Sequence, residues 1–363
     1  MGILFLATVV SVLLLWPFDA QPKRPWLDES ASQASGAIIR IDLSDEETPL
    51  RVRLDNTGEE VGVQGNPSVP VEEMAVGNRI QVIKLNALGG LDDETAYIFF
   101  DYERIWPLAF LAALFVVTVL AIARLKGLAA IIGLVGALAM VWFYTLPALV
   151  SGRNALLVAL TTASAVMFIV VYMAHGISVK TTTALLGTFA GVSMVSTLAW
   201  LAIPASHLTP LTHEDLAELN YAAPSVDLKG VLLCGMVLAG VGVLNDVTVT
   251  QASSVWELRA ALPDASRLSI FNRAMRIGRD HIASIVYTIA FAYVGTALGL
   301  LTVASTLDFP LISLLTFEDI AGEIVPTLVA SIGMVLAIPI TTAIGTWLSG
   351  PALSGTATEP AAA

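Results

Sequence analysis

Ionisable side chains inside long apolar runs are the places to look for chemistry in this sequence, because hydrocarbon cannot solvate a carboxylate. One such run reads Gly240-Val-Gly-Val-Leu-Asn245-Asp246-Val-Thr-Val-Thr250-Gln251-Ala-Ser253-Ser254-Val-Trp-Glu257. On a helix, Gly235, Ala239, Gly242, Asp246, Thr250, Ser253 and Glu257 recur every three or four positions and share one face. The first half of that face is small, which suits close helix packing, and the second half is polar and ends in acids. Such a face suits a neighbouring helix or a water-filled path and not lipid. A second reading stands beside the functional one. Asp246 falls about 17 residues into its run, close enough to the interface to be a hydrated structural carboxylate.

A second segment, Arg276-Ile-Gly-Arg279-Asp280-His281-Ile-Ala-Ser284-Ile-Val-Tyr287-Thr288, leads into the next run. Arg276 and Asp280 are spaced to pair on one helical face, and Ser284 and Tyr287 continue it. Anchoring explains Arg273, Arg276 and Arg279, but not the acid between them. Asp246 and Asp280 flank one connecting loop, so their helices are expected to pack together as a proton-accepting pair with arginine nearby. The candidate ion or proton relay is therefore Asn245, Asp246, Thr250, Gln251, Ser253, Glu257, Arg276, Arg279, Asp280 and Ser284.

The elements that must position these residues are apolar runs at roughly 3–18, 105–123, 127–150, 155–174, 181–203, 230–249, 283–303 and 324–348. Most approach the ~20 residues that span a bilayer. Only 13% of the 363 residues are charged and 56% are hydrophobic. A soluble chain carries roughly twice that charged share. The first run is short, yet Phe18-Asp19-Ala20 makes a poor cleavage site, so it reads as an uncleaved anchor.

Lysine and arginine set the expected orientation. With the N-terminus cytoplasmic, the inner loops hold Arg124, Lys126, Lys180, Arg259, Arg267, Arg273, Arg276 and Arg279, and the short outer loops only Arg153 and Lys229. The outer loops 204–228 and 304–323 carry acids instead, among them Glu214, Asp215, Glu218 and Glu323. The C-terminus then also lies inside.

Residues 21–104 differ in kind. Alternating stretches at 36–43, 50–54, 61–63, 79–85 and 97–102 are separated by breaks such as Asn56-Thr57-Gly58 and Gly65-Asn66-Pro67. Period-two alternation with turn residues predicts an antiparallel sheet or barrel of about five strands, of the size of an oligonucleotide/oligosaccharide-binding barrel. The expected architecture is an all-α transmembrane bundle of about eight spans with a small extracytoplasmic β-rich domain. Its parts are an anchor (1–20), the β-domain (21–104), a seven-helix membrane domain (105–350) and a disordered tail (351–363).

Several chemistries find no support. A net charge of −12 argues against nucleic acid. The single cysteine, Cys234, permits no internal disulfide, and the four histidines show no zinc-ligand spacing. There is no His-Glu-x-x-His, phosphate-loop or dinucleotide motif. Leu149-Val150-Ser151-Gly152 lacks the glycine of a rhomboid-type serine site, and Leu244-Asn245-Asp246 the glycine of intramembrane aspartyl proteases. The expectation is a non-enzyme without cofactor or metal. Its partners are the bilayer, an envelope protein through residues 21–104, and another copy of the chain.

Two segments carry a resemblance: Leu244-Asn245-Asp246-Val247-Thr248-Val249-Thr250-Gln251-Ala252-Ser253 and Ile277-Gly278-Arg279-Asp280-His281-Ile282-Ala283-Ser284. With Tyr97 to Arg104, Pro339-Ile-Thr341-Thr342 and the anchor from Ala7 to Pro17, they resemble the YibE/F family of bacterial membrane proteins. Tyr287 stands where the family pattern has asparagine. The resemblance implies a multi-pass inner-membrane topology and no defined activity. More faintly, Asp246 followed by Glu257 is similar to the proton-relay helix of SecD/SecF-type proteins, which also place an external domain between their first two helices. The functional expectation is ion- or proton-coupled transport or export assistance. The alternative is a scaffold whose outer β-domain holds an envelope partner.

Overall fold

Alternation of apolar and polar residues closes into a barrel in the computed structural model, which describes residues 1–18, 31–45, 47–66, 69–85, 97–209, 219, 223 and 226–350. The strands are β1 (Ala31–Ile41), β2 (Leu50–Leu54), β3 (Glu60–Gln64), β4 (Arg79–Leu85) and β5 (Tyr97–Tyr102). They form a closed barrel in the order β1-β2-β3-β5-β4, antiparallel except for β3 beside β5. A long first strand pairing with both β2 and β4 is the Greek-key arrangement of the oligonucleotide/oligosaccharide-binding fold. β1 starts earlier than the alternation suggested and bulges between Ile38 and Arg40, which lets one strand bend around two partners.

Every second side chain points inward. Ile38, Leu50, Val52, Leu54, Val63, Ile80, Val82 and Phe99 are buried in a core of the barrel's own. Gly36 has no room for a side chain, since a Cβ there would sit 2.5 Å from the carbonyl oxygen of Arg53. Outside, Arg79 donates to Asp55 and to Glu103, tying β4 to the β2–β3 turn and to the chain after β5.

By contacts the chain divides into two compact units, Pro22–Ile122 and Met1–Gln21 with Ala123–Ala363. The helical run α2 (Ile105–Met140) crosses that boundary and is interrupted at Arg124, where φ is 51°. The sequence break at Arg124-Leu125-Lys126 falls at this point.

The second unit is helical. It holds α1 (Gly2–Leu15), the end of α2, a π turn (Val141–Thr145), α3 (Leu146–Val150), α4 (Ala155–His175), α5 (Val179–Ala205), α6 (Leu228–Ala261), α7 (Arg267–Thr296), α8 (Leu298–Ser305), α9 (Leu311–Leu315) and α10 (Glu318–Leu348). Asn154 caps α4, and Ser178 with Thr181 forms a capping box on α5. Among the described residues, five helices are long and apolar enough to cross a membrane, or six if α7 and α8, bent by 68°, count as one. Fewer than eight reach that standard for two reasons. α1 is only 14 residues long, and the runs at 105–123 and 127–150 merge into one helical stretch. The tail 351–363 and the loop acids Glu214, Asp215 and Glu218 lie outside the described residues.

The centre of this unit is where α5, α6 and α10 meet, and glycines bring them close. A Cβ at Gly187 would overlap Thr341, and one at Gly191 would lie 2.5 Å from Leu244 Cδ2. Gly187 and Gly191, four residues apart, thus form a small-residue packing face. Val195 of α5, fully buried, lies against Gly240 of α6 and Gly333 of α10.

Candidate functional site

α6 has 34 residues and is therefore about 50 Å long, more than a bilayer's hydrocarbon needs. Its two faces differ. Leu244, Thr248, Gln251, Val255 and Arg259 are buried, spaced by three or four. Asp246 and Glu257 are exposed, as are Gly235, Ala239 and Gly242, while Thr250 and Ser253 are half-buried. The segment from Asn245 to Ser253 therefore serves both sides of one helix.

The buried side is polar in an otherwise apolar bundle. The hydroxyls of Thr188 on α5 and Thr248 on α6 are hydrogen-bonded at 2.6 Å. One turn on, Gln251 Nε2 donates to Thr342 Oγ1 of α10 at 2.7 Å and to the Ala274 carbonyl of α7 at 3.0 Å. Thr342 donates in turn to the Ile338 carbonyl, and Thr341 to that of Ala337. Both hydroxyls follow Pro339 and bond back across it to the carbonyls just before it. Gly278 lets α7 approach: a Cβ there would be 2.7 Å from Ile338 and 3.1 Å from Gln251 Oε1. One amide and four threonine hydroxyls thus line a seam joining α5, α6, α7 and α10, all at most 2% exposed. Asn245 Oδ1, on the same side of α6, is buried and has no hydrogen-bond partner among the described residues.

A smaller polar contact lies at the π turn, where Thr145 and Thr162 share a 2.7 Å hydrogen bond beside fully buried Tyr144. π turns of this kind recur at functional sites.

Beyond the seam, α6 and α7 continue as a hairpin. Val255, Ile270 and Ala274 form its core, with Trp256, Leu258 and Leu262 around them. Arg259, 8% exposed, donates Nη1 to the Ala265 carbonyl at 2.6 Å, and Ser266 caps α7 through Ser269 N–H. The contact of Gln251 with Ala274 and Gly278 fixes an antiparallel register, so Asp246 lies about level with the turn that contains Asp280.

The predicted residues therefore separate. Gln251 alone enters the interior network. Asp246, Glu257, Arg276, Arg279, Asp280 and Ser284 are exposed, and among the described residues none of their charged groups forms an ion pair. Arg276 and Asp280 do not bridge despite their spacing. α6 and α7 pack together, but through Gln251, Val255, Ala274 and Gly278, with both aspartates turned away from that contact. Thr188 and Thr248 were missed as site residues. The spacing of Asn245, Thr248 and Gln251 at intervals of three was the signal that could have marked Thr248; Thr188, on another helix, had none.

Chemically, the seam offers neutral oxygens and N–H groups that can ligate or relay, and no group that titrates near neutrality. The titratable carboxylates stand outside it. Among the described residues, no three His, Cys, Asp or Glu side chains lie close enough to hold a metal ion.

A family model described as YibE/F-like protein matches residues 111–350, more than half of the chain, and the chain belongs to that family. The match covers the Asn245–Ser253 and Ile277–Ser284 segments and begins after the barrel. No curated protein and no solved structure matches the chain.

Proposed function

We propose that this YibE/F-like chain is a multi-pass protein of the bacterial inner membrane that couples an ion or proton gradient to transport or export. The observation that carries the reading is the buried hydroxyl–amide seam of Thr188, Thr248, Gln251, Thr341 and Thr342. Mutually bonded hydroxyls and an amide hold these helices together, and the same oxygens and N–H groups can ligate a cation or relay a proton along the seam. Asp246 and Asn245 adjoin it in the chain. A carboxylate in an apolar run must meet water or a partner, which makes Asp246 the proposed site of reversible protonation.

In this proposal α1, the two halves of the 105–150 stretch, α4, α5, α6, the bent α7–α8 pair and α10 make eight spans. Both termini are cytoplasmic and the barrel is outside, supported by the eight-to-two bias of lysine and arginine. No enzymatic step, cofactor or metal is part of it.

The test is proton flux after a pH jump in proteoliposomes containing the full chain. Asp246→Asn should abolish flux while expression and folding persist, and Asp246→Glu should retain part of it. Arg279→Ala should impair it more than Arg267→Ala. Equal flux in wild type and Asp246→Asn would end the relay idea. The second reading, a scaffold holding an envelope protein, draws on the barrel's closed topology and separate core. A scaffold tolerates Asp246→Asn and loses function when residues 21–104 are removed.

A further inference from the structure

α4 is 21 residues long, about 31 Å by its rise, and so matches the ~30 Å of a bilayer's hydrocarbon. Its cap, Asn154, therefore marks one edge of the membrane. α5 ends and α6 begins beside it, and the three helix ends enclose a cavity of about 320 Å³. That is within the range of small-ligand sites. Its lining is graded along the helix axes. Asn154, Asp227 and Lys229 stand at the edge, and Leu156 of α4, Trp200 of α5 and Leu233 of α6 lie deeper. Trp200 and Leu233 are each five residues from the helix end, about 8 Å into the hydrocarbon.

The two charges are engaged neither with each other nor with the fold. Among the described residues neither Asp227 nor Lys229 enters an ion pair. Asp227 immediately precedes α6, yet its side chain makes no capping bond. Its Oδ2 instead lies 2.7 Å from where a Cβ on Gly230 would stand, so the glycine gives the carboxylate room at the cavity wall.

A water-soluble ligand needs no apolar wall that reaches into hydrocarbon, and an acyl chain alone needs no charges. Opposite charges at the membrane edge, above an apolar wall, match a zwitterionic phospholipid. The Lys229 ammonium and the positive N-terminal ends of α4 and α6 favour its phosphate. The Asp227 carboxylate can accept a charge-assisted hydrogen bond from a primary ammonium, whereas a quaternary ammonium has no N–H to donate.

We propose that this cavity holds the headgroup of a phospholipid with a primary ammonium, its phosphate at Lys229 and its ammonium at Asp227. The site rests on these helices spanning a membrane and not on the transport reading.

The experiment adds phosphatidylethanolamine, phosphatidylcholine and phosphatidylglycerol of distinct mass, in equal amounts, to the delipidated full chain in micelles. Native mass spectrometry identifies the first lipid bound. Wild type should favour phosphatidylethanolamine over each of the others by about threefold, the scale of one exposed ion pair. D227N should lose that preference, and D227E should keep part of it. L156W, which fills the cavity and leaves both charges, should lose it too. K180Q, at the other end of α5, should keep it. Unchanged elution and thermal midpoint establish that D227N is folded; if it fails to fold, L156W against K180Q decides. Equal binding of phosphatidylethanolamine and phosphatidylcholine in wild type overturns the proposal, as does a preference that survives in folded D227N or in L156W. A preference for phosphatidylglycerol assigns the site to Lys229 alone and overturns the zwitterionic assignment. Displacement of the lipid by millimolar phosphoethanolamine assigns the site to the free headgroup and overturns the lipid assignment.

Discussion

Gly333→Ala offers a sharp test of how the three central helices meet. A methyl group on Gly333 would overlap Cγ2 of Val195, which is fully buried and also has its Cγ1 3.1 Å from where a Cβ on Gly240 would stand. The valine is held between two glycines and cannot turn aside, so the added methyl should cost about 1–3 kcal/mol of overpacking. Val195→Ala removes two methyl groups. Between lipid-solvated helices this forfeits packing rather than hydrophobic transfer, at a cost of about 1–2 kcal/mol. In the double variant the new methyl occupies the vacated space, so the two changes should cost about 1–2 kcal/mol less than their sum. Unfolding of the four proteins in mixed micelles, followed by tryptophan fluorescence, measures the cycle. Additivity within about 0.5 kcal/mol would show that Val195 and Gly333 do not touch, and with it the placement of α5 against α10 would fall.

In a Cys234→Ala background, cysteine at Ser44 should label on intact cells and cysteine at Ser266 only after permeabilisation; the reverse pattern refutes the proposed orientation. Gln251→Leu removes two interhelical hydrogen bonds at about 0.6 kcal/mol each. It should therefore lower stability by about 1 kcal/mol, read in the same micelles, and no change would remove Gln251 from the seam. A soluble fragment of residues 21–104 should give a strand-dominated circular dichroism spectrum and a cooperative melt. Its acid sensitivity has a defined sign. Asp45 is held below the ordinary carboxylate value of 3.8 by the Thr48 backbone and hydroxyl, and Asp101 by Arg104. Their stabilisation is present above that value and is lost as pH falls through the lowered ones. Asp45→Asn should flatten the melt's dependence on pH below about 4, and an unchanged profile refutes it.

The barrel was legible because it is built by a period of two with a wet outside. Four of the five predicted stretches match β2 to β5 within a residue or so, and only β1 began early, because its first residues, Ala31 to Ser35, are small and polar and carry no alternation signal. The starts of α4 and α5 fall within two residues of the apolar runs at 155 and 181, and the caps Asn154 and Ser178 fix them. The length of α6 was not legible. Hydropathy ends near Val249, but the helix runs on to Ala261 because Val255 packs against Ile270 and Ala274 in the hairpin. The bend after Thr296 had no marker beyond nearby Gly295 and Gly299.

The orientation of α6 was the hardest feature to read, for a physical reason. In water, an apolar stripe identifies the buried face of a helix, but lipid is as apolar as a protein core and removes that signal. Two stripes on α6 are equally periodic. One runs through Gly242, Asp246, Thr250 and Ser253, the other through Asn245, Thr248 and Gln251. Charge drew attention to the first, yet the bundle closes on the second, whose neutral groups can satisfy one another in a dry interior. A carboxylate has no such option, since an acid on the inner face would need a counter-ion, and the buried cation among the described residues, Arg259, sits two turns beyond Gln251 in the hairpin. The split follows from that difference. Hydroxyls and an amide can hold four helices together without charge, while Asp246 lies on the exposed face of α6.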